Sequence, residues 1–278
     1  TMYNALMATM KNDGSQISKY SPLEGRRQPG EEQCGMHINC CNANGPRGFA
    51  LIPKTACTIK DNHIYLNLYL PLQATISLNK KNKVHLNVES DYPIHGKVNV
   101  NIGVQKKEKF TLALRIPTQI EKMKAYINGE EQEITHKGGY LYIERIWENA
   151  DKVTLDFKIE TKVVKLNNSQ AIVRGPLLFA RDSRFNDGDI DECATIKCNN
   201  QGVIQAKIKK NKTGTSPWIT LTVPAVLGTD LENVENKTPK LINFCDFSSS
   251  GNDWNPNGRY RVWIPQTFHA MSEPYKKY

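Results

Sequence analysis

The sequence predicts a mainly β protein that folds into antiparallel sandwiches. The first observation is a period of two in the apolar residues, which places one face of each strand in a core and the other in water. Ile64, Leu66 and Leu68 show it first, and it returns along the chain to residue 159. The second is that turn signals such as Asn128-Gly129 recur about every 8–12 residues, a spacing typical of sandwiches.

The alternating segments fall into two blocks. The first block predicts strands within 64–70, 84–88, 98–102, 110–116, 140–142 and 153–159. The pattern pauses around 160–170 and then predicts further strands within 171–179, 203–208, 218–223 and 259–265. We therefore expect one β-sandwich domain over 58–160 and a second, with a C-terminal strand, over 161–278.

Residues 1–57 have a different pattern. Met2, Leu6 and Met10 recur at helical spacing and predict a helix over 2–12, ended by Asp13-Gly14. A polar loop rich in Gly and Pro follows over 15–36, and a second helix is predicted over about 41–54. Two helices cannot bury a core alone. They must pack on the sandwich, on a partner, or on a helical domain that precedes Thr1.

Composition and charge exclude several classes of protein. The 278 residues are 39% hydrophobic and 23% charged, as in soluble globular proteins, and no apolar run approaches the roughly 20 residues of a membrane span. The net charge is +9, but the lysines are scattered and no aromatic residues interleave with them, so we expect no nucleic-acid partner. The chain opens with Thr1 and shows no leader. We expect a fragment or processed form. The compartment, cytoplasmic or extracytoplasmic, and the formation of a homodimer therefore both stay open.

Five acidic residues crowd into the stretch 182–192. Carboxylate oxygens bind Ca²⁺, but the spacing lacks the pattern of the twelve-residue calcium loop. The sequence therefore favours an exposed acidic loop.

Adjacent cysteines, Cys40 and Cys41, are the candidate reactive residues. The chain has seven cysteines, an odd number, and neighbours in sequence rarely bond each other because their Cα atoms lie only about 3.8 Å apart. The pair can instead supply two thiolates to one metal, or one nucleophile, and the helix start predicted beside it favours the thiolate. Zinc takes four ligands or three and an open position, and Cys34 and His37 are local candidates. Two small buried cysteines are the alternative.

Several short motifs follow one another in the order found in one enzyme family. Residues 40–47, Cys-Cys-Asn-Ala-Asn-Gly-Pro-Arg, match a Cys-Cys-x-x-Asn-x-x-Arg motif. The other matches are Tyr3-Asn4-Ala5, Tyr20-Ser21-Pro22-Leu23-Glu24, Asn67-Leu68-Tyr69, Leu114-Arg115-Ile116-Pro117, Ile127-Asn128-Gly129, Gly139-Tyr140-Leu141, Trp147 with Asp151 (a Trp-x-x-Gly-Asp series), Gly175-Pro176-Leu177 and Val262-Trp263-Ile264-Pro265. In this order the chain resembles the C-terminal portion of the β-L-arabinofuranosidase family of glycoside hydrolases.

The resemblance implies a fold and a chemistry. Family members carry an (α/α)₆ barrel followed by two β-sandwiches, so residues 1–57 would be the last helices and loop of a truncated barrel. They retain configuration through a zinc-bound cysteine, which implies Cys40 as nucleophile and zinc ligand and Cys41 as a second ligand. The remaining ligands and the general acid/base Glu lie upstream in the family. Glu24 and Glu31 are near the pair in sequence, but surface acids are the stronger interpretation.

Three hypotheses for function remain open. The first is the C-terminal portion of a retaining glycosidase acting on a β-L-arabinofuranoside, with zinc expected in the full-length protein and a missing N-terminal barrel as partner. The second is a non-catalytic β-sandwich module that binds carbohydrate or another protein. The third is a small metal- or redox-sensitive protein that uses Cys34, Cys40 and Cys41. The first predicts that the isolated chain is inactive.

Overall fold

A computed structural model describes most of the chain after residue 40. The described residues are 7–10, 16–19, 26–28, 40–78, 82–166, 169–212, 217–228, 238–253, 255 and 257–266, with backbone alone before Arg47. They divide into two compact units, which we treat separately: a sandwich unit of residues 43–159, and a second unit of residues 1–42 and 160–278. No helix in these ranges is long and apolar enough to cross a membrane.

The N-terminal segments that are described form strands. Strands β1 (Met7–Met10), β2 (Gln16–Lys19) and β3 (Arg26–Gln28) pair antiparallel in that order. The helix predicted over 2–12 is therefore wrong for Met7–Met10, and the rest of it lies outside the described residues. A few apolar residues cannot distinguish a helix from a strand, and Asp-Gly between apolar runs is a hairpin signal as much as a helix stop.

One helix, α1, spans Cys40–Thr55 and confirms the helix predicted over about 41–54. Its first turn holds no acidic residue, and Lys54 lies in its last turn, where a cation interacts favourably with the helix dipole. Phe49 is 74% exposed and Leu51 is 56% exposed. Within the sandwich unit, the helix thus leaves large apolar side chains uncovered.

The sandwich unit contains two sheets. Its strands are β4 (Cys57–Lys60), β5 (His63–Leu66), β6 (Leu72–Ser77), β7 (Lys83–Ser90), β8 (Lys97–Val104), β9 (Glu108–Arg115), β10 (Met123–Ile127), β11 (Glu130–Gln132), β12 (His136–Lys137), β13 (Tyr140–Trp147) and β14 (Asp151–Phe157). Sheet I has the order β11-β10-β14-β8-β7-β6, and sheet II has the order β12-β13-β9-β5-β4. Described neighbours in both sheets are antiparallel except β5 and β9, which run parallel.

The core of the sandwich unit lies between the two sheets. Val84, Leu86 and Val88 of β7 are buried while their neighbours in the strand are exposed or half-buried, as the period of two predicts. They join one cluster with residues of sheet II, such as Leu112 and Leu114. The alternation in the sequence therefore does specify which face of each sheet points inward.

The second unit is also built from strands. They are β15 (Thr161–Leu166), β16 (Ser169–Arg174), β17 (Leu177–Asp182), β18 (Ala194–Ile196), β19 (Lys207–Lys210), β20 (Ile219–Leu227), β21 (Lys240–Asp246), β22 (Tyr260–Arg261) and β23 (Ile264–Pro265), with a 3₁₀ turn at Ser183–Phe185. Hydrogen bonds connect these described strands into sheet III, in the order β15-β16-β17-β21-β20-β18, with β19, β22 and β23 pairing β20, β17 and β16. The single strand predicted over 259–265 is two short strands, because the chain changes partner from β17 to β16.

Ala150 is a position where the chain departs from the family series and where the backbone records the departure. It occupies the glycine position of Trp-x-x-Gly-Asp, and its φ is +70°. Its N–H donates to the Ile102 carbonyl at 3.0 Å, which holds the turn before β14 in place. A Cβ in the left-handed region costs about 1–2 kcal/mol, so this turn is strained.

We predict that Ala150→Gly stabilises the protein. Relief of the left-handed strain, offset by the greater entropy of glycine in the unfolded chain, should raise the free energy of unfolding by about 0.5–1 kcal/mol. Urea denaturation checks this. Ala50→Gly in the exposed part of α1 is the matched control and should lower stability by about 1 kcal/mol. A destabilised Ala150→Gly variant would contradict the prediction.

Candidate functional site

The cysteine pair lies at the start of helix α1. Cys40 and Cys41 are its first two residues, where backbone N–H groups lack helical partners and the helix dipole favours negative charge. The side chains of both residues lie outside the described part of the chain. The backbone therefore bears out the expected helix start beside the pair, whereas the roles of the two sulfurs stay predictions.

The other end of α1 is fastened to the sandwich by Asn67. Its side-chain Nδ2 donates to the Thr55 carbonyl at 2.8 Å and to Thr58 Oγ1 at 3.1 Å. Its backbone N–H donates to the Ala56 carbonyl at 2.9 Å. The last carbonyls of a helix have no partner within the helix, so Asn67 satisfies a group that would otherwise need water.

Two more residues from the family motifs meet at the same place. Tyr140 donates its hydroxyl to Asn67 Oδ1 at 2.7 Å, and Arg115 Nη1 approaches the Asn67 carbonyl at 3.4 Å. Tyr69 donates its hydroxyl to the Arg115 carbonyl. Three motifs quoted from separate parts of the sequence, at residues 67–69, 114–117 and 139–141, thus converge on the end of α1. The sequence motifs identified these residues but not the contacts between them.

Aromatic rings cover the outer face of sheet II beside this point. Tyr65 packs edge-on against Tyr140 at 5.4 Å and against Tyr142 at 6.4 Å, and His63 lies 6.1 Å from Tyr65. Burial, and then the neighbouring Tyr142, raise the pKa of Tyr65. Ala113 beneath them is fully buried although its side chain faces outward. The rings therefore serve to cover the sheet and to orient Tyr140.

Cys57 follows the helix closely but differs from a reactive cysteine. Desolvation by burial raises its pKa to about 11. A thiol reacts and binds metals as the thiolate, so at neutral pH Cys57 is an inert, protonated side chain. Among the described cysteines, Cys57, Cys193, Cys198 and Cys245 are not in disulfides.

The local metal-ligand candidates Cys34 and His37 lie outside the described residues, and so do the loop carboxylates Glu24 and Glu31. Within the described ranges, no group of three or more His, Cys, Asp or Glu side chains could hold a metal ion.

Within the acidic stretch 182–192, Asp189 and Asp191 are exposed as the sequence predicted, whereas Asp182 is buried. Asp182 is 3% exposed and accepts hydrogen bonds from Arg184 Nη2 at 3.0 Å and from the Gly251 N–H at 2.8 Å. Asp191 pairs with Arg259 and Arg261. The hydrogen bond from Arg259, more than the other causes, lowers the pKa of Asp191. Arg184 lies within the stretch, but Arg259 and Arg261 are distant in sequence, so composition within the stretch could not reveal their pairing with Asp191.

Trp147 and Trp263 pack in apolar surroundings, whereas Trp218 is 38% exposed. Trp147 is fully buried and donates its indole N–H to the Phe110 carbonyl at 3.0 Å, as expected for a core residue. Trp263 packs, partly buried, against the apolar cluster of the second unit that contains Val262.

Comparison with known proteins supports the resemblance drawn from the motifs. Residues 63–159 match the family model described as "Beta-L-arabinofuranosidase, GH127 middle domain". The sandwich sheets are thus similar to a GH127 middle domain. This match confirms the resemblance over the part of the chain that contains Asn67, Arg115 and Tyr140.

Solved structures share the fold over nearly the whole chain. A GH127 β-L-arabinofuranosidase from Geobacillus stearothermophilus matches with a TM-score of 0.65 and 21% identity, over 86% of this chain and 40% of that one. A GH127 β-arabinofuranosidase matches with a TM-score of 0.66 and 22% identity, over 91% of this chain and 42% of that one. A structure described as a glycoside hydrolase matches with a TM-score of 0.66 and 21% identity, over 91% of this chain and 45% of that one.

The chain spans less than half the length of each of these structures. A search of curated proteins finds no match. The likeness to the solved structures, at about one residue in five identical, shows a shared fold.

We predict that Asn67 controls the stability of the end of α1. Asn67→Ala removes two donated hydrogen bonds and leaves the Tyr140 hydroxyl without its acceptor. The free energy of unfolding should therefore fall by about 1–2 kcal/mol. Hydrogen exchange at the Ala56 N–H, which donates to the Ile52 carbonyl, should become faster.

The matched control for Asn67 is Asn62, whose Nδ2 donates to the Lys109 carbonyl at 2.7 Å. Asn62→Ala should also lower the free energy of unfolding. The ratio of hydrogen exchange at the Ala56 N–H to exchange elsewhere in the unit should stay the same as in the wild type. Equal local exchange in the two variants would contradict a specific role for Asn67.

We predict that Cys57 reacts slowly with iodoacetamide up to high pH. Because its pKa is raised to about 11, its alkylation rate should keep increasing about tenfold per pH unit between pH 8 and 10. Peptide mass spectrometry measures the rate at each cysteine separately, and exposed Cys198 is the reference. A plateau in the Cys57 rate below pH 9 would show that its thiol is not desolvated.

Proposed function

We propose that the protein is the C-terminal portion of a retaining glycoside hydrolase that acts on β-L-arabinofuranosides, with Cys40 as nucleophile. The observation that carries the proposal is the match of residues 63–159 to the GH127 middle domain. The helix that starts at Cys40 and ends against Asn67 supports it, since it ties the candidate nucleophile to the matched domain through one continuous element.

The chemistry of the pair suits zinc. Cysteine sulfurs are the donors that zinc favours, and Cys40 and Cys41 would provide two of its ligands. Bound zinc would keep these sulfurs deprotonated at neutral pH. The unpaired N–H groups in the first turn of α1 also favour the thiolate form of these cysteines. That turn contains no acidic side chain that would oppose a thiolate.

The proposed reaction has two displacements. The Cys40 sulfur forms a bond to the anomeric carbon while the bond from that carbon to the leaving oxygen breaks, and a carboxylic acid gives the oxygen its proton. Water then attacks the same carbon, the carboxylate takes its proton, and the sulfur leaves as a thiolate. Two inversions at one carbon retain its configuration.

The chain supplies the sulfur side of this chemistry. We propose that the acid/base carboxylate and the remaining zinc ligands come from a helical domain on the N-terminal side, and that α1 packs on that domain. The exposed Phe49 and Leu51 side chains support such packing because large apolar residues on a helix are normally covered.

We predict that a longer protein, with the preceding domain attached to this chain, binds about one zinc ion and hydrolyses a β-L-arabinofuranoside. Cys40→Ala should abolish turnover by removing the nucleophile. Cys41→Ala should lower zinc content, as determined by elemental analysis. Cys57→Ala is the control, and it should leave both properties intact because that cysteine is protonated and lies outside the proposed ligand set.

The isolated chain should show no turnover in the same assay. Retained activity of the Cys40→Ala variant would reject Cys40 as the nucleophile, and an active zinc-free protein would reject the zinc proposal. Turnover by the isolated chain would show that it holds its own acid.

A further inference from the structure

The outer face of sheet I carries a polar groove that the proposed reaction does not use. One cavity of about 800 Å³ lies over β6, β7 and β8 and is lined by residues that include Gln73, Asn87 and Asn99. A second, of about 400 Å³, shares Gln73 and Asn87 and continues toward Asn101. Cavities of about 300–1,000 Å³ are of the size that holds small ligands.

The groove is built from side-chain amides at central strand positions. In the register of the sheet, Gln73 lies opposite Asn87, and Asn87 lies opposite Asn101, which forms a row of three amides across three strands. Asn99 lies two residues before Asn101 on β8 and therefore on the same face of the sheet. Its Oδ1 accepts a hydrogen bond from Thr154 Oγ1 at 3.0 Å. Asn is depleted in strands, so this composition opposes the local preference of the backbone. Such local conflicts concentrate at functional sites.

The row keeps unused hydrogen-bonding capacity. Among the described residues, the side-chain amides of Gln73 and Asn101 have no hydrogen-bond partner within the protein. Asn87 makes one long contact, from Nδ2 to Glu89 Oε1 at 3.4 Å. Each side-chain amide carries an NH₂ donor and a carbonyl acceptor, so the row presents both donors and acceptors to the groove.

Gly103 keeps the floor of the groove low. A Cβ built on this residue would lie 3.4 Å from His85 Cβ and 3.6 Å from Asn149 Oδ1, which are ordinary contact distances. The backbone therefore accepts a larger residue here, and a larger side chain would fill the space between His85 and Asn149.

The lining of the groove holds few charged side chains. Glu89 and Asp91 lie with Lys97 and His95 at one end, so the lining contains no basic cluster. A phosphate or polyanion would need a cluster of Arg or Lys side chains, which these lining residues lack. The surface matches a neutral ligand that is rich in hydroxyl groups, because each hydroxyl both donates and accepts.

We propose that this groove binds a neutral oligosaccharide chain, through the amide row formed by Gln73, Asn87 and Asn101. This binding is separate from the proposed hydrolysis, since it involves neither cysteine of the pair. It would hold a polysaccharide on the sandwich unit whether or not the chain is joined to a catalytic domain.

Affinity electrophoresis of the 278-residue chain in gels with soluble arabinan, arabinoxylan or dextran tests the proposal. At least one of these neutral polysaccharides should retard the wild-type chain. Gln73→Ala and Asn101→Ala should each weaken the affinity roughly fivefold, the effect of one lost hydrogen bond. Gly103→Val should weaken it similarly by filling the floor, without removing a polar group.

The matched controls are Gln201→Ala and Asn200→Ala, which remove the same groups from exposed positions in the second unit. Both should bind like the wild type, and so should Cys40→Ala, whatever becomes of the hydrolysis proposal. Circular dichroism and thermal melts confirm that each variant is folded. Absence of retardation of the wild type in all three gels would overturn the proposal. So would equal retardation of the groove and control variants.

Discussion

The side-chain amide of Asn67 is the interaction on which the arrangement of the candidate site depends. A helix of sixteen residues is about 24 Å long, so a small change of angle at one end becomes a displacement of several ångströms at the other. Asn67 fixes the end at Thr55 with one amide that bonds the last helical carbonyl, Thr58 and Tyr140. The candidate nucleophile, Cys40, is the residue at which the same helix begins.

The surroundings of Asn67 explain why a β-sandwich is suited to this task. Arg115 and Tyr140 come from adjacent strands of sheet II, and their positions are set by the β9–β13 register, in which they are direct partners. That register is in turn fixed by the alternation of buried and exposed residues, because a slip of one residue would expose Leu112 and Leu114 to water. The hydrophobic core therefore determines the position of the polar contacts at the helix end.

Much of the sandwich unit could be predicted from the sequence, and the physical reason is its uniform period. β7, β8, β9 and β14 lie where the alternation predicts them, since each buries one face against a single core. Prediction failed where partners distant in sequence decide the structure. Met7–Met10 pairs with a strand whose residues show no strong pattern. Asp191 pairs with Arg259, which only the fold brings close.

At the candidate site, too, contacts between residues distant in sequence could not be predicted. Motif order identified Asn67, Arg115 and Tyr140 as family residues, but their hydrogen bonds depend on a sheet register that no motif contains. The amide row of Gln73, Asn87 and Asn101 was not predicted, because single exposed Asn and Gln residues form no distinctive pattern in a sequence. Across three paired strands they become one continuous polar surface. Since the inward neighbours Val88, Val100 and Ile102 already stabilise these strands through burial, the outward positions are free to carry residues that lower strand preference. A sandwich whose stability resides in the inner face of each sheet can therefore carry a row of polar residues on an outer face.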